Sequence, residues 1–278
     1  MVLVTVLLLV GIAAAVLAML LSSEEVAIDR ATRMAQAAQA AAIARGGEAS
    51  AIVALRRDMA VSPDVDDAAE PWARIAERDA PIVGGRFALA IADATGKIDL
   101  NPIARGDPVA RARLVMIAAA LRLGPGAAER IAALLTAEGP LVDLTQLGAA
   151  GLDPAALARL AEVATLLPAP QPINLNAAPE PVLALLLDDP AAAHQLAARR
   201  ARTGRLDRDD FSAAHAGMPA GCSFTSQLYW VRARATIGDT SQQLTSLLER
   251  SRDAAGSPRV LAIARWRGPA PLDAPPLG

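Results

Sequence analysis

Two histidines, His194 and His215, and a single cysteine, Cys222, are the side chains here best suited to nucleophilic, acid–base or zinc chemistry. They do not form a constellation. The histidines sit on different predicted helices, with neither H-x-x-x-H spacing nor a cysteine partner of the kind a zinc site needs. A lone thiol is usually a small buried apolar group, and it cannot close an internal disulfide. No G-x-S-x-G or P-loop is present, and Gly124-Pro125-Gly126 follows a predicted helix and lacks the strand a phosphate-binding loop needs. Carboxylates are plentiful, and the loop from Arg205 to Asp210 could offer oxygens to calcium, although its spacing is not that of an EF-hand. We therefore expect no enzyme, no catalytic residue and no cofactor beyond a possible structural calcium, whose ligands the sequence does not name.

Arg199, Arg200, Arg202, Arg205 and Arg208 form the densest basic stretch, but Asp207, Asp209 and Asp210 interleave with its end. Such a mixture reads as a solvated face. The whole chain carries a net charge of −2 with a pI near 5.8, so no global field draws it to nucleic acid or anionic lipid.

The elements that must carry these residues begin with residues 1–21, MVLVTVLLLVGIAAAVLAMLL, which hold no charge. About 20 such residues in a helix are roughly 30 Å long, the thickness of a bilayer's hydrocarbon core, and a helix satisfies its own backbone polar groups there. This is a predicted transmembrane anchor. Residues 22–60 keep a helix-forming composition with no proline, so the helix should continue outside the lipid as a stalk, with Gly46-Gly47 as its expected bend. Beyond it, aromatic residues are only 3% of the chain while hydrophobic ones are 53%, so any core is aliphatic.

Residues 61–83 read as a long connection carrying Trp72. Phe87 to Ile91 alternates, Asp93-Ala94-Thr95-Gly96 has turn chemistry and Lys97 to Leu100 is extended again, which predicts a hairpin. From 102 to 221 the reading is helical, with helices near 108–123, 127–137, 144–147, 154–166, 179–187, 191–203 and 208–216 separated by glycine and proline. Strands return at 224–237, 243–250 and 259–267, and a Pro-rich stretch follows. The predicted plan is one sheet (61–101 and 222–268) with an all-α block (102–221) inserted in it, and a flexible tail over 269–278.

Ile98-Asp99-Leu100-Asn101 echoes Ile173-Asn174-Leu175-Asn176, each a short extended piece capped by Asn and followed by helix. The second continues as Ala177-Ala178-Pro179-Glu180-Pro181-Val182-Leu183 and resembles the INxNTAxxxVL motif of helix-hairpin-helix-like modules. Asp93 to Asn101 in turn resembles a DxxGKINLN segment. With the anchor before them and strands after Phe224, these motifs in this order resemble the K-type minor pseudopilins of type II secretion systems over nearly the whole chain.

The resemblance implies an α+β fold: a pilin-like N-terminal helix packed on a small antiparallel sheet, with a large all-α domain inserted between strands. Ile173, Asn174, Leu175, Asn176 and Pro179 would be structural residues of the hairpin motif. It implies a single-pass inner-membrane protein with a periplasmic head, matured by a prepilin peptidase and partnered by other minor pseudopilins of the I and J types. The chain looks like the mature form of such a protein, with Met1 first; the alternative is a misplaced start codon. Most pilin-like proteins have Glu at mature position five; here it is Thr5, which cannot offer a carboxylate to a subunit above, and that fits a filament tip. The expected function is to nucleate the pseudopilus at its tip and support export of folded proteins. The alternative is a membrane-anchored DNA-uptake or type IV pilus accessory protein, which the acidic turn Leu187-Asp188-Asp189-Pro190 disfavours because it would repel phosphate. No nucleic-acid partner is expected.

Overall fold

A computed structural model describes residues 2–62 and 64–277; Met1, and with it the expectation that it opens the mature chain, lies outside those residues, as do Pro63 and Gly278. Helix α1 (Val2–Val61) is followed by strands β1 (Glu77–Ile82), β2 (Gly85–Asp93) and β3 (Ile98–Asp99). Then come α2 (Pro108–Ala120), α3 (Ala127–Glu138), a 3-10 segment (Leu144–Ala150) and α4 (Pro154–Val163). Strands β4 (Ala164–Thr165) and β5 (Ile173–Asn174) precede helices α5 (Glu180–Leu187), α6 (Pro190–Thr203) and α7 (Arg208–Ala213). The chain closes with β6 (Cys222–Ser223), β7 (Leu228–Ile237), β8 (Thr240–Arg252) and β9 (Pro258–Arg267).

Helix α1 has two parts that differ in composition and in what covers them. Among the described residues, the large aliphatic side chains from Val2 to Leu21 are exposed. Farther on, Ala40, Ala44, Gly47, Glu48, Ala51, Leu55, Asp58 and Met59 recur at helical spacing and are buried against β7, β8 and β9. Helix α1 runs unbroken through Gly46-Gly47. Gly47 is there for close approach, since a Cβ on it would lie 2.8 Å from Phe87 Cζ and 3.2 Å from Ala233 Cβ. Gly46 faces open space.

The main sheet is antiparallel with order β1-β2-β7-β8-β9. Strands β2 and β7 are neighbours in full register, from Gly85 opposite Ile237 to Asp93 opposite Tyr229, although 134 residues separate the ends that meet at Leu228 and Asp93 (94–227). They form a hairpin opened at its turn, and everything from 94 to 227 is inserted there. The insertion has its own aliphatic core, built on Leu114, Ile117, Ile131, Leu135, Leu144 and Leu160. The molecule is thus α+β, with a long N-terminal helix on an antiparallel sheet and a helical domain between its strands.

Three readings need correction. The expected hairpin of Phe87–Ile91 with Lys97–Leu100 does not form: β2 pairs with β1 and β7, while Ile98-Asp99 pairs in parallel with Ala164-Thr165, inside the helical domain. Gly96 lets the chain pass close to Ala177, since a Cβ there would sit 2.6 Å from the Ala177 carbonyl oxygen. Residues 61–83 are not all connection, since 77–82 are edge strand β1. The stretch 269–277, expected to be flexible, folds back: Asp273 is buried, its carboxylate accepts from Thr165 Oγ1 at 2.6 Å, and Lys97 Nζ reaches its carbonyl at 3.4 Å.

Candidate functional site

The two echoing segments have the same construction. Ile98-Asp99 pairs in parallel with 164–165, and Ile173-Asn174 pairs in parallel with Cys222-Ser223. In each, the second residue's side chain accepts from the amide two residues on (Asp99 from Asn101 at 3.0 Å, Asn174 from Asn176 at 2.9 Å), an Asx turn that ends the strand. Asn101 then ties Leu141 and Leu167 together through its buried amide, and Asn176 Oδ1 accepts from Leu206 N at 2.6 Å. Ile173, Leu175 and Ala178 pack in the domain core, and Pro179 is the N-cap residue of α5.

Asn174 does more than its counterpart. Its Nδ2 donates to the Asp66 carbonyl at 3.0 Å and to Asp93 Oδ2 at 2.7 Å, so it holds the inserted domain to the end of β2. Asp93 also accepts from the Thr95 amide, from Thr95 Oγ1 and, through a very short bond, from Ser226 Oγ. Burial raises the Asp93 carboxyl above its ordinary value, and these hydrogen bonds oppose that rise. Both strands of chain that enter and leave the insertion are therefore tied to one carboxylate.

A second carboxylate group adjoins it. Asp58 from the end of α1, and Asp66 and Glu70 from the connection after it, bring oxygens within 4.8 Å of one another, all buried. Arg250 from β8 lies among them, with Nη1 2.7 Å from Asp58 and Nη2 2.5 Å from Asp66, and with its guanidinium 5.0 Å from the Tyr229 ring centre. Tyr229 Oη donates to Asp66 at 2.8 Å, and Trp72 stacks edge-on to Tyr229 while donating Nε1 to Glu70. Burial, then the nearby Glu70 charge, push the Asp58 carboxyl up to about 7, with Arg250 acting against them. This is the oxygen cluster best able to hold a cation, and Arg250 already stands where one would bind. In the loop 205–210, which could have supplied calcium ligands, Asp207 caps α7 and Asp210 pairs with Arg199 at 2.8 Å.

Earlier along α1, Glu48 is fixed by a two-pronged bond from Arg265 and a short bond from Ser246. Burial raises its carboxyl, but those bonds outweigh burial and hold it below the ordinary value. Among the described residues, His194, His215 and Cys222 are not grouped with one another. His194 is exposed beside Glu180 at 3.0 Å, His215 is exposed elsewhere, and burial pushes the Cys222 thiol up to about 11, away from a reactive thiolate.

The α5–α6 hairpin resembles a DNA-binding module only in outline. The Asp189 carboxylate accepts from the amides of Ala191 and Ala192, the groups that would otherwise meet phosphate. Arg200, counted in the basic stretch, is turned inward and donates to the carbonyls of Leu175, Asn176 and Ala178 at 2.8, 3.1 and 2.6 Å. Sequence reasoning named the motif but missed its clasp, because no local pattern shows which arginine of five faces in.

Residues 173–227 match the sequence profile of the family "Type II secretion system (T2SS), protein K". The matched segment contains Asn174, Asn176, the inward arginine and Ser226. The chain is also 28% identical, over 313 aligned positions covering 97% of it and 93% of the relative, to the type II secretion system protein K of Pseudomonas aeruginosa. Over residues 173–227, and more weakly over nearly its whole length, this chain is similar to type II secretion system protein K. Among solved structures, the GspK–GspI–GspJ complex of the enterotoxigenic Escherichia coli Type 2 Secretion System contains a chain of the same fold, with TM-score 0.67, 19% identity and coverage of 87% of this chain and 100% of that one. The likeness of fold takes in the long N-terminal helix, the antiparallel sheet and the inserted domain.

Thr5 lies in the exposed apolar half of α1, far from the junction of sheet and inserted domain. The structure brings together Asn174, Asn176, Asp93, Asp66 and Arg250. It leaves Thr5 apart from them.

Proposed function

We propose that this protein is the tip subunit of a type II secretion pseudopilus. Residues 2–21 hold it in the inner membrane with the head in the periplasm, after a prepilin peptidase has removed a leader. Its α1 packs against the α1 helices of I- and J-type minor pseudopilins, as the composition of the solved relative's complex suggests, and this assembly starts the filament whose growth supports export of folded proteins.

The observation that carries the reading is where the insertion leaves the sheet. Asp93 and Leu228 lie at the end of the sheet where α1 stops, since Asp58 near that stop is bonded to Arg250, whose amide bonds the Gln227 carbonyl. Leu21 to Asp58 span about 55 Å of helix. A helical domain at that far end occupies the space into which a next subunit's head would have to fit. Thr5 agrees, because a neutral side chain offers no carboxylate to a subunit above.

The open hairpin supplies the experiment. Because Asp93 and Tyr229 are already partners across β2 and β7, and the Ala94 amide bonds the Leu228 carbonyl, residues 95–227 can be replaced by an Asn-Gly turn, the natural closure for such a pair. The trimmed subunit should still join its partners but should no longer be confined to one end of the filament. Trimmed subunits that stay at the end, with filament length unchanged, would refute the steric part.

A further inference from the structure

Helix α2 is apolar on the side that faces solvent. Ala110, Leu114 and Ile117 point into the domain core. On the opposite face Ala112, Val115, Met116 and Ala119 follow helical spacing, with Val115 51% and Met116 38% exposed, and Val109 beside them is 56% exposed. A helix apolar all round is normally covered on every side. The only charged side chains on α2 itself are Arg111 and Arg113, with Arg122 just beyond it, and no carboxylate occurs from Pro108 to Ala128. Asp107, the nearest, is spent capping the helix through the amides of Val109 and Ala110.

We infer that this face of α2 is a docking surface for an acidic amphipathic helix of another protein. The straight ridge is about 20 Å long, and small alanines alternate with Val115 and Met116, which gives the grooves a facing helix needs. Flanking arginines select Asp and Glu on the partner. A second copy of this chain does not fit, because the face carries arginines and no carboxylate from 108 to 128, so a two-fold contact would bring only like charges together. The anchoring membrane does not fit either: the domain joins the sheet about 55 Å along α1 from Leu21, while a domain of this size has a radius of gyration of roughly 14 Å. The inference does not require the tip position, since the face exists wherever the subunit stands.

The test is a photo-crosslinking amino acid at position 115 of the full-length protein in cells carrying the secretion apparatus, with the joined peptides sequenced. Position 138, on an exposed acidic helix end, is the control. The expected adduct is one segment of a different protein, with apolar residues at helical spacing and Asp or Glu beside them. Arg111→Glu with Arg122→Glu should cut its yield at least fivefold while leaving the melting temperature unchanged, since both side chains are exposed. Adducts to a second copy, to phospholipid, to a basic segment, or no adduct above the control would overturn the inference, as would a yield that survives charge reversal.

Discussion

Replacing Arg250 by Met tests whether the buried charge cluster holds the end of α1 to the sheet. The guanidinium serves Asp58, Asp66 and the Ser226 carbonyl at 2.7, 2.5 and 2.9 Å, and lies over Tyr229. Methionine matches its stem but leaves two buried carboxylates facing each other and Glu70. Breaking a buried pair from one side costs about 3–5 kcal/mol, mostly because the remaining charge is stranded. For a domain pair of this size that corresponds to roughly 6–20 °C in melting temperature. The assay is thermal unfolding of the full chain in detergent, followed by circular dichroism. Adding Asp58→Asn and Asp66→Asn should recover most of the loss, because the stranded charges are then gone. A loss below about 1 kcal/mol for Arg250→Met, or no recovery in the triple variant, would refute the view that stranded charge dominates.

Three other outcomes follow from the same geometry. Gly46→Ala should stabilise by about 0.5–1 kcal/mol, since Gly46 faces open space, whereas Gly47→Leu should destabilise by about 1–3 kcal/mol by forcing Phe87 and Ala233 aside; paired melting curves check the opposite signs. The head should be more stable near pH 5 than near pH 8. Burial raises Asp58 to about 7, Asp99 to about 6, and also Asp93 and Asp273, so the folded state binds extra protons above pH 4 and loses that stability as pH rises to 7. Glu48, held low, works the other way only toward acid, and the net loss from pH 5 to 8 should be about 2–4 kcal/mol in denaturant titrations. Asn174→Ala strands the Asp66 carbonyl and weakens the hold on Asp93, so limited proteolysis should cut near 94–96 and 223–227 before the whole head unfolds.

Local signals explain what could be read from sequence. Asp107-Pro108, Asp153-Pro154 and Gly204 mark helix ends by chemistry that acts within a turn, and the helices of the inserted domain begin or end close to them. The α4 helix stops earlier than its apolar pattern does, because Ala164-Thr165 is taken up by pairing with Ile98-Asp99, more than sixty residues away in the chain. Strand β1 was invisible because Glu77-Arg78-Asp79 is charged, as suits an exposed edge, and lacks an alternating pattern. The Asn174 motif was legible as a motif. Its partners Asp66 and Asp93 were not, nor was Arg250 as the cation between Asp58 and Asp66, because nothing in a sequence of alternating strand residues shows which distant carboxylate an inward arginine will meet. Gly47 shows the same limit: a glycine that admits a neighbour looks, in sequence, like one that weakens a helix.

The most direct test of a tip subunit is its position in the filament. Gold or fluorescent labels on the exposed Val142 side of the inserted domain, in sheared pseudopili viewed one filament at a time, should mark a single point at one end, the end away from the membrane. Labels spaced along the shaft, or found at the membrane-proximal end, would contradict the claim that the inserted head leaves no room for a subunit above it.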